Sequence, residues 1–277
     1  MIGTECLRLN ALWNLKNYGK FLYFLGEIMN QSLILKVLST LLKHKVKSLL
    51  IGGQACIVYG AAEFSRDIDL AVMVSPENIG NLKSALYELK AGEIFVPDLS
   101  EAVLLKGHAC HFRCQREDVK DLRIDIISKM RGVDSFPDLW KRREEIELPE
   151  AGKVAIISLA DLVKAKKTQR DKDWPMIRRL IEADIYRASP KPAEEKVSFW
   201  LSECRSPELL IKLSIQYPKI ASIIAEKRPL LEFAVKGDQE KVQQLLFAEE
   251  ENERALDRQY WLPLKAELEV WRHQKNK

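Results

Sequence analysis

The sequence predicts an α+β protein, in which a mixed sheet flanked by helices precedes an all-helical C-terminal appendage. Between residues 33 and 187, short strand-like runs alternate with segments of helical periodicity. After a Pro-containing break at residues 188–195, every segment reads as helix, with many charges. Strands mixed with helices and then helices alone are typical of an α+β core with a helical appendage.

The composition limits the class of protein. A chain of 277 residues can form one large domain or two ordinary ones, and we expect two. The hydrophobic share of 47% and the charged share of 30% are typical of soluble globular proteins. A net charge of +4 is too small to indicate nucleic-acid binding by itself, and mildly favours an anionic ligand.

Location follows from two further features of the sequence. No apolar run approaches the roughly 18 residues that a membrane span needs, so we expect no membrane association. The five cysteines are unevenly spaced and do not form a disulfide framework, which favours a cytoplasmic protein. The predicted domains are an N-terminal extension of unknown role at 1–28, a sheet-containing domain at 29–187 and a helical region at 188–277.

The elements follow in chain order. Residues 32–44 have helical spacing, and "KSLLIGG" is a short strand that ends at Gly52 and Gly53, before a second helix. "DIDLAVMV" is a strand and "PENIGNLKSALYELK" a helix. We predict further strands in "AVLLKGH", "CHFRC" and "LRIDIIS", a helix in "FPDLWKRREE" and a hairpin in "EIELPEAGKVAIIS".

Two helices are expected before the break at residue 188. Ser158 and Asp161 form a capping box for the first helix. Pro175 is tolerated only in the first turn of a helix, so the second should begin near Asp173.

Two aspartates interrupt the strand "DIDLAVMV". Because side chains alternate along a strand, Asp67 and Asp69 point to the same side, about 7 Å apart. Two such carboxylates repel each other unless a cation lies between them, and oxygen ligands favour Mg²⁺ or Mn²⁺ over zinc. The alternative is an ordinary sheet edge whose acids face solvent.

Two other features strengthen the metal interpretation. Asp125 lies in the middle of the strand "LRIDIIS" and supplies a third carboxylate if that strand neighbours the first. Upstream, Gly52 and Gly53 leave room for backbone amides to approach a phosphate at the start of the next helix. A phosphate-binding turn followed by an acidic metal site suits a nucleotide.

This arrangement resembles the nucleotidyltransferase superfamily, which has the fold of DNA polymerase beta. The family's Gly-Gly or Gly-Ser turn matches Gly52 and Gly53, and its Asp-x-Asp strand and later acid match Asp67, Asp69 and Asp125. The resemblance implies a nucleotidyltransferase core at 29–187, with those acids binding metal and acting in catalysis. Ser65 stands at the family's Ser/Thr position, and it and Arg66 are predicted nucleotide-binding residues.

A second motif also matches. The segment "SLADLVKAKKTQRDKDWPMIRRL" is similar to one in minimal nucleotidyltransferase-like proteins related to abortive-infection and toxin–antitoxin transferases. The similarity implies nucleotide-binding roles for Lys166, Arg170 and Asp173, with Lys164 or Lys167 as alternatives to Lys166. Most lysines of this segment are otherwise expected on a solvated helix face.

The resemblance implies a function. The expected enzyme moves NMP from an NTP such as ATP to an acceptor hydroxyl on RNA, a protein or a small molecule, with Mg²⁺ or Mn²⁺ as cofactor. One alternative is a catalytically degenerate relative that binds a nucleotide or a partner. Another is an RNA-binding adaptor that uses the basic helix. The C-terminal helices are a candidate surface for a partner protein.

The segment "HACHFRC" superficially suggests a zinc site. Strand alternation places Cys110 and Cys114 on one face and His111 on the other, and no second ligand pair follows at a zinc-finger distance. We therefore expect buried strand cysteines here.

Overall fold

The computed structural model describes residues 33–62, 65–149 and 151–275. Within them the predicted α+β class is confirmed, because a mixed sheet with flanking helices precedes a helical C-terminal region. The predicted extension at 1–28 lies outside the described residues.

Seven strands of the described chain form one sheet in the order β3-β4-β5-β2-β1-β7-β6. β2 pairs with β5 and β1 with β7 in parallel, and the other neighbours are antiparallel. The strands are β1 (Ser48–Ile51), β2 (Asp67–Val72), β3 (Ala91–Glu93), β4 (Cys110–Cys114), β5 (Arg123–Ile127), β6 (Glu144–Leu148) and β7 (Gly152–Ile156).

The helices lie between the strands and then follow one another to the C-terminus. They are α1 (Leu33–Lys43), α2 (Gly52–Val58), α3 (Pro76–Glu88), α4 (Glu101–Lys106), α5 (Phe136–Lys141), α6 (Leu159–Ala165), α7 (Asp173–Arg187), α8 (Glu194–Glu203), α9 (Pro207–Gln216), α10 (Pro218–Ala225), α11 (Leu231–Val235) and α12 (Gln239–Lys275).

The chain packs as two compact units. Apart from the gaps named above, the first consists of residues 33–54, 66–129 and 136–157, and the second of 55–65, 130–135 and 158–275. This division reflects contacts within the chain, and it does not show which segments function independently. The predicted domain boundary between residues 187 and 188 therefore stays a prediction.

One layer of the core of the first unit lies between the sheet and α1. Leu50 of β1 stands opposite Leu70 of β2, and both are almost completely buried on the side that α1 covers. α1 contributes Leu38 and Leu41 to this layer, as its helical spacing predicts. Since the sides alternate along a strand, the residues that flank Leu70 in β2 face the opposite side of the sheet.

One predicted strand is wrong. The segment "AVLLKGH" forms most of helix α4, because Ser100 accepts a hydrogen bond from the amide of Val103 and Gly107 ends the helix in the left-handed conformation. A Ser cap and a Gly stop are helix signals, and they outweigh the strand-like appearance of a short apolar run.

The helix predicted over "FPDLWKRREE" ends at Lys141, and Glu144 and Glu145 belong to β6. Three other local predictions hold. The Ser158 hydroxyl accepts from the Asp161 amide at 3.2 Å and donates to the Asp161 carboxylate at 2.8 Å, which caps α6. α7 begins at Asp173, as the position of the following proline predicted. Cys110 and Cys114 are buried on β4, and burial raises the pKa of Cys110 to about 12 and the pKa of Cys114 to about 11.

No helix in the part of the chain that the structure describes is both long and apolar enough to cross a membrane.

Candidate functional site

The sheet brings the three predicted acids to one face. In the parallel pair of β2 and β5, Asp69 stands opposite Asp125, and Asp67 stands opposite Arg123. Register partners on neighbouring strands, about 4.8 Å apart, point to the same side. The three carboxylates are half-buried on this face, whereas the apolar residues between them are buried on the other.

The glycine turn after β1 fits closely against Asp69. The amide of Gly53 donates to Asp69 Oδ2 at 3.3 Å. Gly52 has a φ of +64°, and a Cβ atom at this position would lie 2.0 Å from the same oxygen. Glycine is therefore required at position 52 both by its backbone conformation and by the close approach of the carboxylate. The turn thus fixes the orientation of Asp69.

The turn is also tied to the start of β2. The buried side chain of Gln54 donates from Nε2 to the carbonyl of Asp67 at 3.3 Å. β1 and β2 are antiparallel neighbours in which Ile51 stands opposite Asp69. The predicted roles of Gly52 and Gly53 in binding phosphate stay predictions.

Asp125 is held by two cationic or polar partners on the same face. Its Oδ1 atom lies 2.7 Å from Nε of Arg123 and 2.9 Å from Nδ1 of His111. Burial raises the pKa of the Asp125 carboxyl, but the hydrogen bonds and charges of His111 and Arg123 outweigh burial and hold that pKa below its usual range. Asp125 is therefore ionised at neutral pH.

Arg123 offsets part of the negative charge of this face. Its pKa is raised, first by the hydrogen bond to Asp125, and further by the charges of Asp67 and Asp69. A guanidinium beside three carboxylates offsets their mutual repulsion. Phe95, which is 52% exposed, packs edge-on against His111 and lies under Arg123 with 5.9 Å between the guanidinium carbon and the ring centroid.

The donor chemistry of this face suits Mg²⁺ or Mn²⁺, since the acids offer oxygen ligands only. As the side chains are placed, however, no group of three or more His, Cys, Asp or Glu within the described ranges is arranged to hold a metal ion. Asp125 is engaged by Arg123 and His111 instead. Asp67 and Asp69 are the candidates for the primary ligands, and the metal roles of all three acids stay predictions.

The second predicted motif forms its own buried ion cluster in the second unit. The carboxylate of Asp173, of which 2% is exposed, lies 3.1 Å from Nζ of Lys166 and 2.7 Å from Nε of Arg170, and it accepts from Thr168 at 2.6 Å. Burial raises the pKa of Asp173, but Lys166, Thr168 and Arg170 outweigh burial and lower it. The nucleotide-binding roles of Lys166, Arg170 and Asp173 stay predictions.

The neighbouring lysines and the residues before β2 complete the predicted set. Lys164 lies 4.0 Å from Asp161 and Lys167 lies 2.7 Å from Glu203, so both alternatives to Lys166 also have acidic neighbours. Ser65 is half-buried and Arg66 exposed at the start of β2. Their nucleotide-binding roles are untested by this geometry and remain predictions.

The ion cluster gives a prediction for stability. Asp173→Asn should lower the free energy of unfolding by about 3 kcal/mol at pH 7, because it removes a buried carboxylate that is the counter-charge of the half-buried Lys166. The pKa of Asp173 is lower in the folded protein than in the unfolded chain, where it is about 3.9. The carboxylate therefore contributes its full stabilisation above the unfolded pKa, and this stabilisation is lost as pH falls through the folded pKa. Urea unfolding of the wild type and of Asp173→Asn, from pH 7 downward, should show the difference between their unfolding free energies become smaller.

Asp171→Asn is the matched control. Asp171 is 97% exposed, and its ion pair with Arg254 should contribute little. A difference between wild type and Asp173→Asn that stays constant down to low pH would contradict the ionic explanation.

The sequence interpretation did not identify the partners of Asp125. His111 and Arg123 belong to the site, and Phe95 packs on both. Alternation had placed His111 on the face opposite the cysteines, and the same alternation along β5 puts Arg123 on the face of Asp125. What the sequence lacked was the pairing of β4 with β5, which sets His111 opposite Asp125.

Comparison with known proteins gives distant structural similarity. No protein-family model and no curated protein matches the sequence. The solved structure of a "putative nucleotidyltransferase" from Helicobacter pylori aligns with 81% of this chain and 96% of its own length, at 15% identity and a TM-score of 0.39. The structure of JHP933 from Helicobacter pylori aligns with 83% of this chain and 97% of its own, at 15% identity and a TM-score of 0.35. At these values the similarity is too distant to assign an activity.

Proposed function

We propose that this chain is a metal-dependent nucleotidyltransferase that moves NMP from an NTP to an acceptor hydroxyl. The observation that supports the proposal most directly is the shared face of Asp67, Asp69 and Asp125, with the Gly52 turn in contact with Asp69. Three acids on adjacent strands beside a glycine turn combine a candidate metal site with a candidate phosphate site.

Each residue has a defined task in this proposal. Asp67 and Asp69 hold Mg²⁺ or Mn²⁺, and the Gly53 amide keeps the Asp69 carboxylate in one orientation. Bound metal would supply Lewis-acid activation of the acceptor hydroxyl and neutralise phosphate charge. Asp125 adds a third negative charge, which its lowered pKa maintains at neutral pH.

Cationic residues have a supporting role in the proposal. Arg66 offsets part of the charge that develops on the departing pyrophosphate. Nucleotide-binding roles for Lys166 and Arg170 are proposed by motif similarity alone. RNA, a protein or a small molecule is the acceptor, and a partner protein is proposed for the C-terminal helices.

A second function is favoured by a different observation. Arg123 already compensates Asp125 and lies close enough to Asp67 and Asp69 for their charges to raise its pKa. A protein cation in this place reduces the need for a metal. On this alternative, the chain is a degenerate relative that binds a nucleotide or a partner without transferring NMP.

Label transfer separates the two functions. The chain is incubated with Mg²⁺ or Mn²⁺ and each α-phosphate-labelled NTP, together with total RNA and a cell lysate. We expect covalent transfer of label to one acceptor class, and no transfer when EDTA replaces the metal. RNase and protease treatment of the labelled product identifies the acceptor as RNA, protein or small molecule.

A negative result also decides between the two. Saturable nucleotide binding by calorimetry without label transfer from any NTP would contradict the enzymatic proposal and support the degenerate relative. Metal-independent binding to RNA with a steep dependence on salt would favour the adaptor function instead.

A further inference from the structure

The second unit contains a cleft that the proposed transfer reaction does not use. It has a volume of about 390 Å³ and lies among the end of α8, the end of α10 and the middle of α12. Small-molecule sites in proteins typically have volumes of about 300 to 1,000 Å³. The cleft is therefore large enough for a small metabolite.

The lining of the cleft is cationic. Four positive side chains and two negative ones line it: Lys167, Arg205, Lys227 and Arg228 against Glu249 and Glu253. Lys167 is paired with Glu203, so the net positive charge comes from the other three. A concave surface of one net sign concentrates ligands of the opposite sign. The lining therefore selects for an anion.

Two arginines at the base of the cleft share one carboxylate. Arg228 is held in place by the carbonyls of Leu201 and Cys204 and binds Glu249 through Nε at 3.0 Å and Nη2 at 2.8 Å. Nη1 of Arg205 binds the same Glu249 carboxylate at 2.8 Å. Glu249 thus binds two guanidinium groups, and the charges of Glu203 and Glu253 also act on Arg205.

Arg205 is the group with unused donors. Its side chain is 9% exposed, and its Nε has no hydrogen-bond partner in the described part of the chain. Its guanidinium carbon lies 5.2 Å from the centroid of the Trp174 ring, which supports it from one side. A buried N–H without an acceptor is costly, so the protein leaves this guanidinium only partly satisfied.

The electrostatics agree with the geometry. Burial lowers the pKa of Arg205, and the positive charge of Arg228 lowers it further, while the charges of Glu249, Glu203 and Glu253 oppose both. An anion in the cleft would relieve this repulsion. Lys227 is exposed at the edge of the cleft and adds a flexible ammonium group.

We propose that the cleft binds a small molecule through a phosphate group, with Arg205 and Lys227 as the residues that contact the phosphate. Guanidinium groups bind phosphate through paired hydrogen bonds, and a phosphate offers more acceptor oxygens than a carboxylate. The remaining volume accommodates the organic part of a phosphomonoester. This site is independent of nucleotidyl transfer at Asp67 and Asp69.

Calorimetric titration of the full chain tests the proposal, with inorganic phosphate and ribose 5-phosphate as probes. The buffer contains EDTA, so that a metal-dependent triphosphate site is not measured, and ionic strength is held constant with chloride. We expect saturable one-to-one binding of both probes. Acetate should not displace them.

Variants locate the site. Lys227→Ala should weaken phosphate binding by roughly three- to tenfold, the loss of one charge-assisted contact. Lys219→Ala is the matched control, because Lys219 is exposed nearby on α10 but does not line the cleft. Glu249→Gln should strengthen binding several-fold, since it removes the resident anion that competes for Arg205.

Circular dichroism is the check that each variant is folded, and Lys227→Ala alters only an exposed side chain. The proposal is overturned if neither probe binds saturably, or if Lys219→Ala weakens binding as much as Lys227→Ala does. Displacement by acetate would also overturn it and would indicate a carboxylate ligand.

Discussion

Asp69→Asn is expected to lower nucleotidyl transfer by at least about a hundredfold, and Asp67→Asn by a comparable factor, because each removes one negative ligand of the proposed catalytic metal. Both amides keep the size and the strand position of the aspartates. The measurement is the initial rate of label transfer at saturating NTP, over a range of Mg²⁺ concentrations. The fold should be kept, since both side chains lie on the half-buried face of β2.

Asp121→Asn is the control for this pair. It is the same chemical change on an exposed residue of the first unit, and its φ of 67° is a conformation that asparagine tolerates well. It should leave the rate unchanged. Transfer that persists at the wild-type rate in Asp67→Asn and Asp69→Asn would remove these acids from the mechanism.

Gly52→Ala is expected to affect stability and activity together. The left-handed conformation costs an alanine about 1 to 2 kcal/mol, and the new Cβ would meet Asp69 Oδ2 at 2.0 Å, so either the turn or the carboxylate must move. We expect a loss of unfolding free energy of at least about 2 kcal/mol and reduced metal-dependent transfer. Urea unfolding and the label-transfer assay measure the two effects.

Gly152→Ala separates the clash from the backbone strain. Gly152 also has a positive φ, of +85°, but a Cβ there would have no heavy atom within 4 Å. The Gly152→Ala variant should therefore lose only about 1 kcal/mol of unfolding free energy and keep its transfer activity. If the two variants lose the same stability and keep the same activity, the close fit of the Gly52 turn against Asp69 has no functional consequence.

Local signals predicted most of the secondary structure, and the one wrong element shows why such signals can fail. Alternation identified β2 and β5, and a proline placed the start of α7. "AVLLKGH" is too short for its apolar pattern to separate a strand from a helix, so the capping of Ser100 and Gly107 decided the outcome.

For the candidate site, the sequence identified the side of the strand but not its neighbours. Alternation is a property of a single strand, so it placed Asp67 and Asp69 together without any knowledge of the sheet. Whether Asp125 joined them depended on β5 pairing with β2 in a particular register, which is a long-range contact. A shift of one residue would have turned Asp125 into the core.

The sequence by itself determined the α+β class, the helical C-terminal region, and the glycine turn and acids that suggest a nucleotide site, because these depend on composition and local periodicity. Only the tertiary structure decided that Asp125 faces Asp69 and is held by Arg123 and His111, and that Gly52 contacts a carboxylate. It alone also brought Arg205 and Arg228 together on Glu249. Each of these contacts joins residues far apart in the chain or on different strands, and their proximity is set by packing and strand register.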